Sequence, residues 1–558
     1  MIHRTPRGFR DILPQEALAR ERITETIRSC FSSHGYLPVE TPILEDRSVI
    51  ETAGRIQDSP FQLFDKDDRL LMLRPDLTLP IARMVASRLG SNRLPARLRY
   101  VAPVVREQGA LRGQPRQFTQ LGVELVGGEG ADSEAEVVSL LADALARLGV
   151  PDWYVVCGSV APLTALLKTC GLGEGFSKKV LRLVHDSDLV GLDELVLSEE
   201  GLTAEQSKAI CELVRLNGDE HIVERLDALM AGAGVPEESR GVSALRHLVA
   251  SCAPLVRQGR LRFDFSIINN FDYYTGLVFK AYAEGIAASL ASGGHYDAVL
   301  ANLGLPNVSA CGFAMSLERL QEVLGEEGDS GVVTPGVRLA DRPLRIAIPK
   351  GSLFPDTLKV LEAAGLPVEG LRDLGRKLIV REDGVEYVIV RAQDAPSFVA
   401  FGGADCGICG RDSIIEADVD LLQLVDLRYG WCRFVVAEPA DAAGKADRAY
   451  KWRGTMRVAT KYPRITQEYY DRIGQQVDIV QLHGNIELGP IVGMTDRIVD
   501  ITATGTTLAE NDLVIVDDVL ECTARFFAGP AAYRCDLRIR TLAQKLANVV
   551  SHKREENS

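Results

Sequence analysis

Between Gly325 and Pro343 the chain reads Gly-Glu-Glu-Gly-Asp-Ser-Gly-Val-Val-Thr-Pro-Gly and then Val-Arg-Leu-Ala-Asp-Arg-Pro. Glycine, acid and proline dominate this stretch, and it has neither a helical nor a strand period. Such a segment buries no apolar face, so it reads as a linker. It forces the chain to fold as two separate bodies, residues 1–324 and 344–558, joined by residues 325–343. Leu344-Arg-Ile-Ala-Ile-Pro349 then reads as the first strand of a fresh domain. At 558 residues the chain is too long for one core, and length alone predicts three or four domains.

Composition narrows the class. With 46% apolar and 25% charged residues, the chain has the balance of a soluble globular protein. No apolar run reaches the roughly 18 residues of a membrane span, and Met1-Ile-His-Arg-Thr-Pro-Arg7 has no apolar signal core. The expectation is a cytoplasmic protein with no membrane partner. A net charge of −14 argues against a broad nucleic-acid surface but leaves room for small phosphorylated ligands held by local loops. The eleven cysteines are scattered. Cys406 and Cys409 have CxxC spacing, but no second pair completes a zinc site, so buried thiols in a reducing compartment are expected.

Residues 16–31 carry Leu18, Ile23, Ile27 and Phe31 at helical spacing. Residues 97–105 and 117–126 read as an antiparallel pair around a polar, glycine-containing loop. Residues 172–255 look like a helical insertion. The second half alternates strands with helices, at residues 344–348, 354–364, 387–391, 397–401 and 406–408, which is α/β patterning.

Six segments of the first half then fall into a known order. Arg97-Leu-Arg-Tyr-Val-Ala-Pro-Val-Val-Arg106 with Gln117-Phe-Thr-Gln-Leu-Gly-Val-Glu124 resembles motif 2 of the class II histidyl-tRNA synthetases. Thr5-Pro-Arg-Gly-Phe-Arg-Asp-Ile-Leu-Pro14 resembles their N-terminal signature, and Arg74-Pro-Asp-Leu-Thr78 their amino-acid-binding strand. Phe271-Asp-Tyr-Tyr-Thr-Gly-Leu-Val-Phe279 and Ser292-Gly-Gly-His-Tyr-Asp297 resemble their histidine motifs, and Gly312-Phe-Ala-Met-Ser-Leu-Glu-Arg-Leu320 resembles motif 3. The resemblance implies an antiparallel-sheet domain of the class II kind. It also implies a histidine pocket built from Asp76, Thr78, Arg106, Gln120, Glu124, Tyr274 and Tyr296. Carboxylates suit the ligand ammonium, Arg106 its carboxylate, and Glu124 with the tyrosines the imidazole edges.

The departures are equally informative. Gln108 and Gly109 stand where the synthetases carry a Glu and an Arg that grip ATP, Asn269 replaces an Arg that helps activate histidine, and His295 replaces another. Adenylate chemistry needs such cations to neutralise developing phosphate charge. No anticodon-binding domain follows motif 3. The pattern resembles the ATP phosphoribosyltransferase regulatory subunit, a sensor with a live pocket and no ligase chemistry. An active histidine-tRNA ligase fused to a transferase, or a non-catalytic scaffold, are the competing readings.

In the second half, Asp496-Arg-Ile-Val-Asp-Ile-Thr-Ala-Thr-Gly-Thr-Thr-Leu508 carries an apolar strand ending at Asp500, a small-residue loop and a helix-like start. Small residues let the backbone approach a phosphate, and N–H groups and threonine hydroxyls donate to it. It is not a Walker loop, because no Gly-Lys-Ser/Thr follows. Val514-Ile-Val-Asp-Asp518 imitates the acidic strand of the common PRPP motif without the glycine loop after it, and reads as a structural strand end. Ile346-Ala-Ile-Pro-Lys-Gly-Ser352, Val390-Arg-Ala-Gln-Asp394, Gly403-Ala-Asp-Cys-Gly-Ile-Cys-Gly-Arg-Asp412, Leu427-Arg-Tyr-Gly-Trp-Cys-Arg433, Ala459-Thr-Lys-Tyr-Pro463 and Gly484-Asn-Ile-Glu487 resemble, in order, the short-form ATP phosphoribosyltransferase.

That resemblance implies a two-lobed α/β shape like that of periplasmic binding proteins. Lobe I is expected near residues 344–435 and 525–550, and lobe II near 436–524. The implied reaction joins ATP to PRPP and releases pyrophosphate, the first step of histidine synthesis, with Mg2+ entering through the substrate phosphates. Lys350, Arg376, Arg391 and Lys461 are the candidate catalytic cations. Glu487 and Asp500 would hold the ribose hydroxyls, and Thr502, Ala503, Thr504, Gly505, Thr506 and Thr507 the 5′-phosphate. Ser352 stands where that family usually has an arginine. Both parent families form oligomers, so a homo-oligomer is expected.

Overall fold

The structure is a computed structural model that describes residues 5–53, 61–107, 115–267, 274, 276–325, 342–503 and 505–556. The expected linker falls almost wholly on residues 326–341, outside the described residues, as do Gln108, Gly109, Asn269 and Thr504. The chain divides into two compact units, residues 1–341 and 342–558.

The first unit is built on a nine-stranded sheet. Its six central strands run antiparallel in the order Ala96–Val105, Gln117–Val126, Ala310–Ser316, Ala291–His295, Leu277–Ala283 and Trp153–Ser159. In Ala96–Val105, Leu98 and Tyr100 turn inward while Arg97 and Arg99 are half-buried, which is the period-2 alternation of a half-covered strand. The helices Pro14–Ser33 and Gly130–Arg147 pack against each other and cover this sheet. Ile23, Ile27 and Phe31 form the buried stripe of the first helix. Leu18, which the helical spacing places on that stripe, is exposed near the helix start. The helical insertion is present as five helices between Gly173 and Ser251, and the helical run begins earlier, at Ala161–Cys170.

The second unit contains two sheets. In the first, Val385–Arg391, Leu344–Lys350 and Cys406–Gly410 run parallel, flanked by antiparallel Ile379–Glu382 on one side and by Ala524–Ala528 and Leu422–Asp426 on the other. The closing helix Leu537–Glu556 buries Ile539, Leu542 and Leu546 in this sheet's core. In the second sheet, Val477–Gln481, Met456–Thr460 and Arg497–Thr502 run parallel, followed by antiparallel Cys432–Pro439 and Leu513–Cys522. The second sheet starts at Cys432, a few residues before the expected 436, after a short turn that follows the first sheet's strand Leu422–Asp426.

Two local expectations are corrected. The phosphate-loop strand does not stop at Asp500 but runs to Thr502. Asp517 and Asp518 are not at a strand end: they lie mid-strand in Leu513–Cys522, opposite Val436 and Val435. This is the edge strand, and its outer side leaves both carboxylates in water, where charge is tolerated. Asp518 pairs with Arg433 at 2.8 Å, and Asp517 accepts from the Tyr469 hydroxyl. No helix among the described residues is long and apolar enough to cross a membrane.

Candidate functional site

In the first unit, Gln120, Gly122 and Glu124 share one face of the Gln117 strand by strand alternation. Glu124 is only 1% exposed. Its Oε2 accepts from the Tyr296 hydroxyl at 2.6 Å, and its Oε1 accepts from Thr78 at 2.9 Å and Tyr100 at 3.3 Å. The space for this carboxylate is made by Gly312 on the neighbouring strand, where an added Cβ would lie 1.9 Å from Glu124 Oε2. Burial pushes the Glu124 carboxyl up to about 8, against the pull of its three hydroxyl donors.

Asp76 ends the same pocket. Burial raises its carboxyl to about 6, Arg106 and the Leu79 N–H working the other way. Its Oδ1 accepts from that N–H at 3.3 Å, while its buried Oδ2 has no hydrogen-bond partner among the described residues, and the same holds for Gln120 Oε1. Buried acceptors without partners are uncommon and point to a donor-bearing ligand. Arg106 donates from Nε to the Pro75 carbonyl at 2.8 Å and lies 5.0 Å over the Phe118 ring. Tyr274 closes against Gly294, where a Cβ would meet its ring at 2.6 Å. The seven expected pocket residues therefore converge from five separate segments. Tyr100 was not among them. Its place follows from register, opposite Gly122, which no local motif reveals.

His295 faces away from this cluster, toward Glu134 at 2.9 Å and Asp297 at 2.8 Å. Burial disfavours its charge, but the two carboxylates outweigh that and raise it to about 9.

In the second unit, strand register alone converges the candidates. Lys350 and Arg391 are exposed register partners at the C-terminal ends of parallel strands. Arg376 sits exposed just before Ile379–Glu382, whose first residue pairs with Val388, so it reaches the same edge. The chain crosses between the two sheets at that edge: Gly410 pairs with Ala524, and the Arg411 N–H donates to the Thr523 carbonyl at 3.0 Å. The second sheet presents its C-terminal edge to the same crossing, because Arg433 pairs with Thr502 and Cys432 with Cys522. Ligands of open α/β sheets collect at such C-terminal edges.

At this edge Lys461 follows the end of Met456–Thr460, and Asp500 is half-buried on the adjacent strand. Burial raises the Asp500 carboxyl, Lys461 draws it down and Glu487 pushes it up, so the three charges sit within electrostatic reach. The loop after Thr502 is closed by the Gly505 N–H donating to Thr502 Oγ1 at 2.8 Å. Gly505 has φ +77°, a left-handed conformation that a β-branched residue would strain. Ala503, Thr506 and Thr507 are exposed. Two neighbours were missed as site residues. Arg433 stands opposite Thr502, and Tyr462 is within reach of both Asp412 and Asp500. Both lie inside motif segments; cross-strand pairing brings Arg433 to the loop, and Tyr462 follows the strand Met456–Thr460.

Ser352 is exposed beyond the end of Leu344–Lys350, next to Gly351. An arginine fits there without displacing any packed group. Ser352→Arg is expected to keep or raise turnover, measured as initial rate; a large loss would remove this position from the substrate-facing edge.

A family model described as histidyl-tRNA synthetase matches residues 8–320, and one described as ATP phosphoribosyltransferase matches residues 391–548. The ATP phosphoribosyltransferase of Rubrobacter xylanophilus is 47% identical over 208 residues, covering 37% of this chain and 95% of its own length. The ATP phosphoribosyltransferase regulatory subunit of the same organism is 36% identical over 330 residues, covering 58% of this chain and 77% of its own. A solved structure described as an ATP phosphoribosyltransferase regulatory subunit/histidyl-tRNA synthetase from Bacillus halodurans C is similar with a TM-score of 0.54 and 26% identity, over 70% of this chain and all of that one.

Proposed function

Because the chain belongs to the histidyl-tRNA synthetase family in its first unit and to the ATP phosphoribosyltransferase family in its second, we propose that it is a single-chain, histidine-regulated ATP phosphoribosyltransferase. In this reading adenine N1 of ATP attacks C1 of PRPP with inversion, and pyrophosphate leaves. The observation that carries the reading is the gathering of Lys461, Asp500 and Glu487 beside the Thr502–Thr507 loop, at the edge that also holds Lys350 and Arg391. Both substrates are polyanions, so the site works by positioning and by fixed positive charge. Loop N–H groups and threonine hydroxyls receive the 5′-phosphate, Asp500 and Glu487 the ribose hydroxyls, and Lys350, Arg376, Arg391 and Lys461 the polyphosphates. Mg2+ arrives with the substrate phosphates, and the Asp500–Glu487 pair offers the hard oxygen donors it prefers.

The first unit takes histidine as the feedback ligand. Asp76 with its unpartnered Oδ2 receives the ammonium, Arg106 the carboxylate, and Glu124 the imidazole. Pyrophosphate release from PRPP plus ATP, with and without histidine, tests the whole reading. Absence of release removes the catalytic half of it, and release insensitive to histidine removes the sensor. The match over residues 8–320 favours a second reading, a histidine-tRNA ligase; charging of tRNA by the full chain would replace the sensor reading.

The raised Glu124 carboxyl gives histidine binding a pH signature. Free imidazole is protonated below about 6.5, and Glu124 in the empty pocket is protonated below about 8. Below the first value both partners carry a proton, and one must leave on binding. Above the second neither does, and one must be taken up. Between the two a single proton is shared and none is exchanged. Histidine affinity is therefore expected to be flat between about 6.5 and 8 and to fall on either side, as read by calorimetry in buffers of different ionisation heat.

A further inference from the structure

At the C-terminal end of the Pro14–Ser33 helix stand Cys30 and His34, and on the Gly130–Arg147 helix packed beside it stands Asp143. Cys30 Sγ lies 3.4 Å from Asp143 Oδ2, and His34 Nε2 lies 3.7 Å from the same oxygen. All three donor atoms fall within 4.8 Å of one another. Zinc bonds of about 2.3 Å to sulfur and about 2.0–2.2 Å to nitrogen and oxygen put tetrahedral ligand atoms about 3.4–3.6 Å apart. The two distances are those of tetrahedral edges before any metal has drawn the groups together.

A second observation concerns the imidazole. His34 Nδ1 is 3.0 Å from the Cys30 carbonyl oxygen, which only accepts. Nδ1 is therefore the donor, which leaves Nε2, 3.7 Å from Asp143 Oδ2, as the ring nitrogen available to a metal. This is the orientation that a backbone carbonyl imposes on metal-binding histidines. The helix C-terminus adds its negative end.

We propose that Cys30, His34 and Asp143 form a binding site for one zinc ion, completed by water. A thiolate, an imidazole and a carboxylate suit zinc and exclude the magnesium that accompanies the substrates. Zinc takes cysteine as the thiolate, so binding releases the Cys30 proton to solvent. Arg147, which pairs with Asp143 at 2.9 Å, is half-exposed and swings into water when the metal takes its place. The ion ties the first helix to the Gly130 helix. Phe31, next to Cys30, stacks edge-on at 5.7 Å against Phe313, the neighbour of Gly312 in the Glu124 cluster.

The test is a Co2+ titration of the chelator-treated full chain, followed by absorption. One equivalent is expected to give a thiolate-to-cobalt charge-transfer band that Zn2+ displaces. Cys30→Ser is expected to abolish the band, and His34→Gln to weaken cobalt binding at least about tenfold. No band in the parent chain, or an unchanged titration in His34→Gln, overturns the site. His34 is half-exposed, so that variant folds and decides the matter even if Cys30→Ser does not fold.

Discussion

An Asp500→Ala chain is expected to lose about two to three orders of magnitude in kcat/KM for PRPP while remaining folded. Two ribose-hydroxyl bonds to a charged acceptor contribute about 1.5–2 kcal/mol each, and about 3–4 kcal/mol corresponds to a hundred- to thousandfold change in rate. The fold does not need this carboxylate. Burial raises its pKa, so its charge is held at a cost in the free protein, which the Ile501 N–H and Lys461 partly offset. Alanine removes the cost, so the melting temperature is expected to hold or rise while activity collapses. Thermal melts and initial rates at varied PRPP separate the two effects. Turnover within about threefold of the parent would take Asp500 out of the ribose role.

The second large effect lies in the first unit. Glu124→Ala is expected to raise the histidine concentration for half-inhibition by at least about a hundredfold, since a charged hydrogen bond to the imidazole in a dry pocket is worth about 3 kcal/mol. The uninhibited rate is the internal reference. Removing Glu124 also strands the hydroxyls of Tyr296, Thr78 and Tyr100, which costs stability. Glu124→Gln keeps a carbonyl acceptor for Thr78 and Tyr100, and its NH2 can donate to the Tyr296 hydroxyl oxygen. It is expected to fold as the parent does and still to lose most of the inhibition, because it cannot share a proton with the ligand. Inhibition unchanged in both variants would place the effector site elsewhere. Any effect of histidine on substrate binding must hold in both directions, so bound substrates change histidine affinity by the factor by which histidine changes theirs.

Much of this protein is legible in the chain itself. The composition of the Gly325–Pro343 stretch predicts two bodies, and the chain divides into two compact units at residue 341. The paired strands around residues 106–117 follow from alternation, and the motif segments name Glu124, Asp76, Asp500 and Lys461 because those residues sit in short contiguous patterns. Local patterns, however, carry no register. Tyr100 meets Glu124, and Arg433 meets Thr502, through hydrogen-bonded strand neighbours far apart in sequence. Asp517 and Asp518 read as a strand end because they imitate the acidic strand of the common PRPP motif without its glycine loop; an exposed sheet edge allowed them mid-strand.

The chain by itself determined two halves and most of their strand and helix pattern, and proposed the residue types of both sites, since periodicity and motif spacing are properties of neighbouring residues. Only the tertiary structure decided which charges are shared, buried or opposed: that Glu124 holds a proton to about 8, that Asp500 lies between Lys461 and Glu487, and that Cys30 meets Asp143 across 113 residues. Protonation and ligation depend on distance and desolvation, and those exist only once the sheets and helices have closed around the groups.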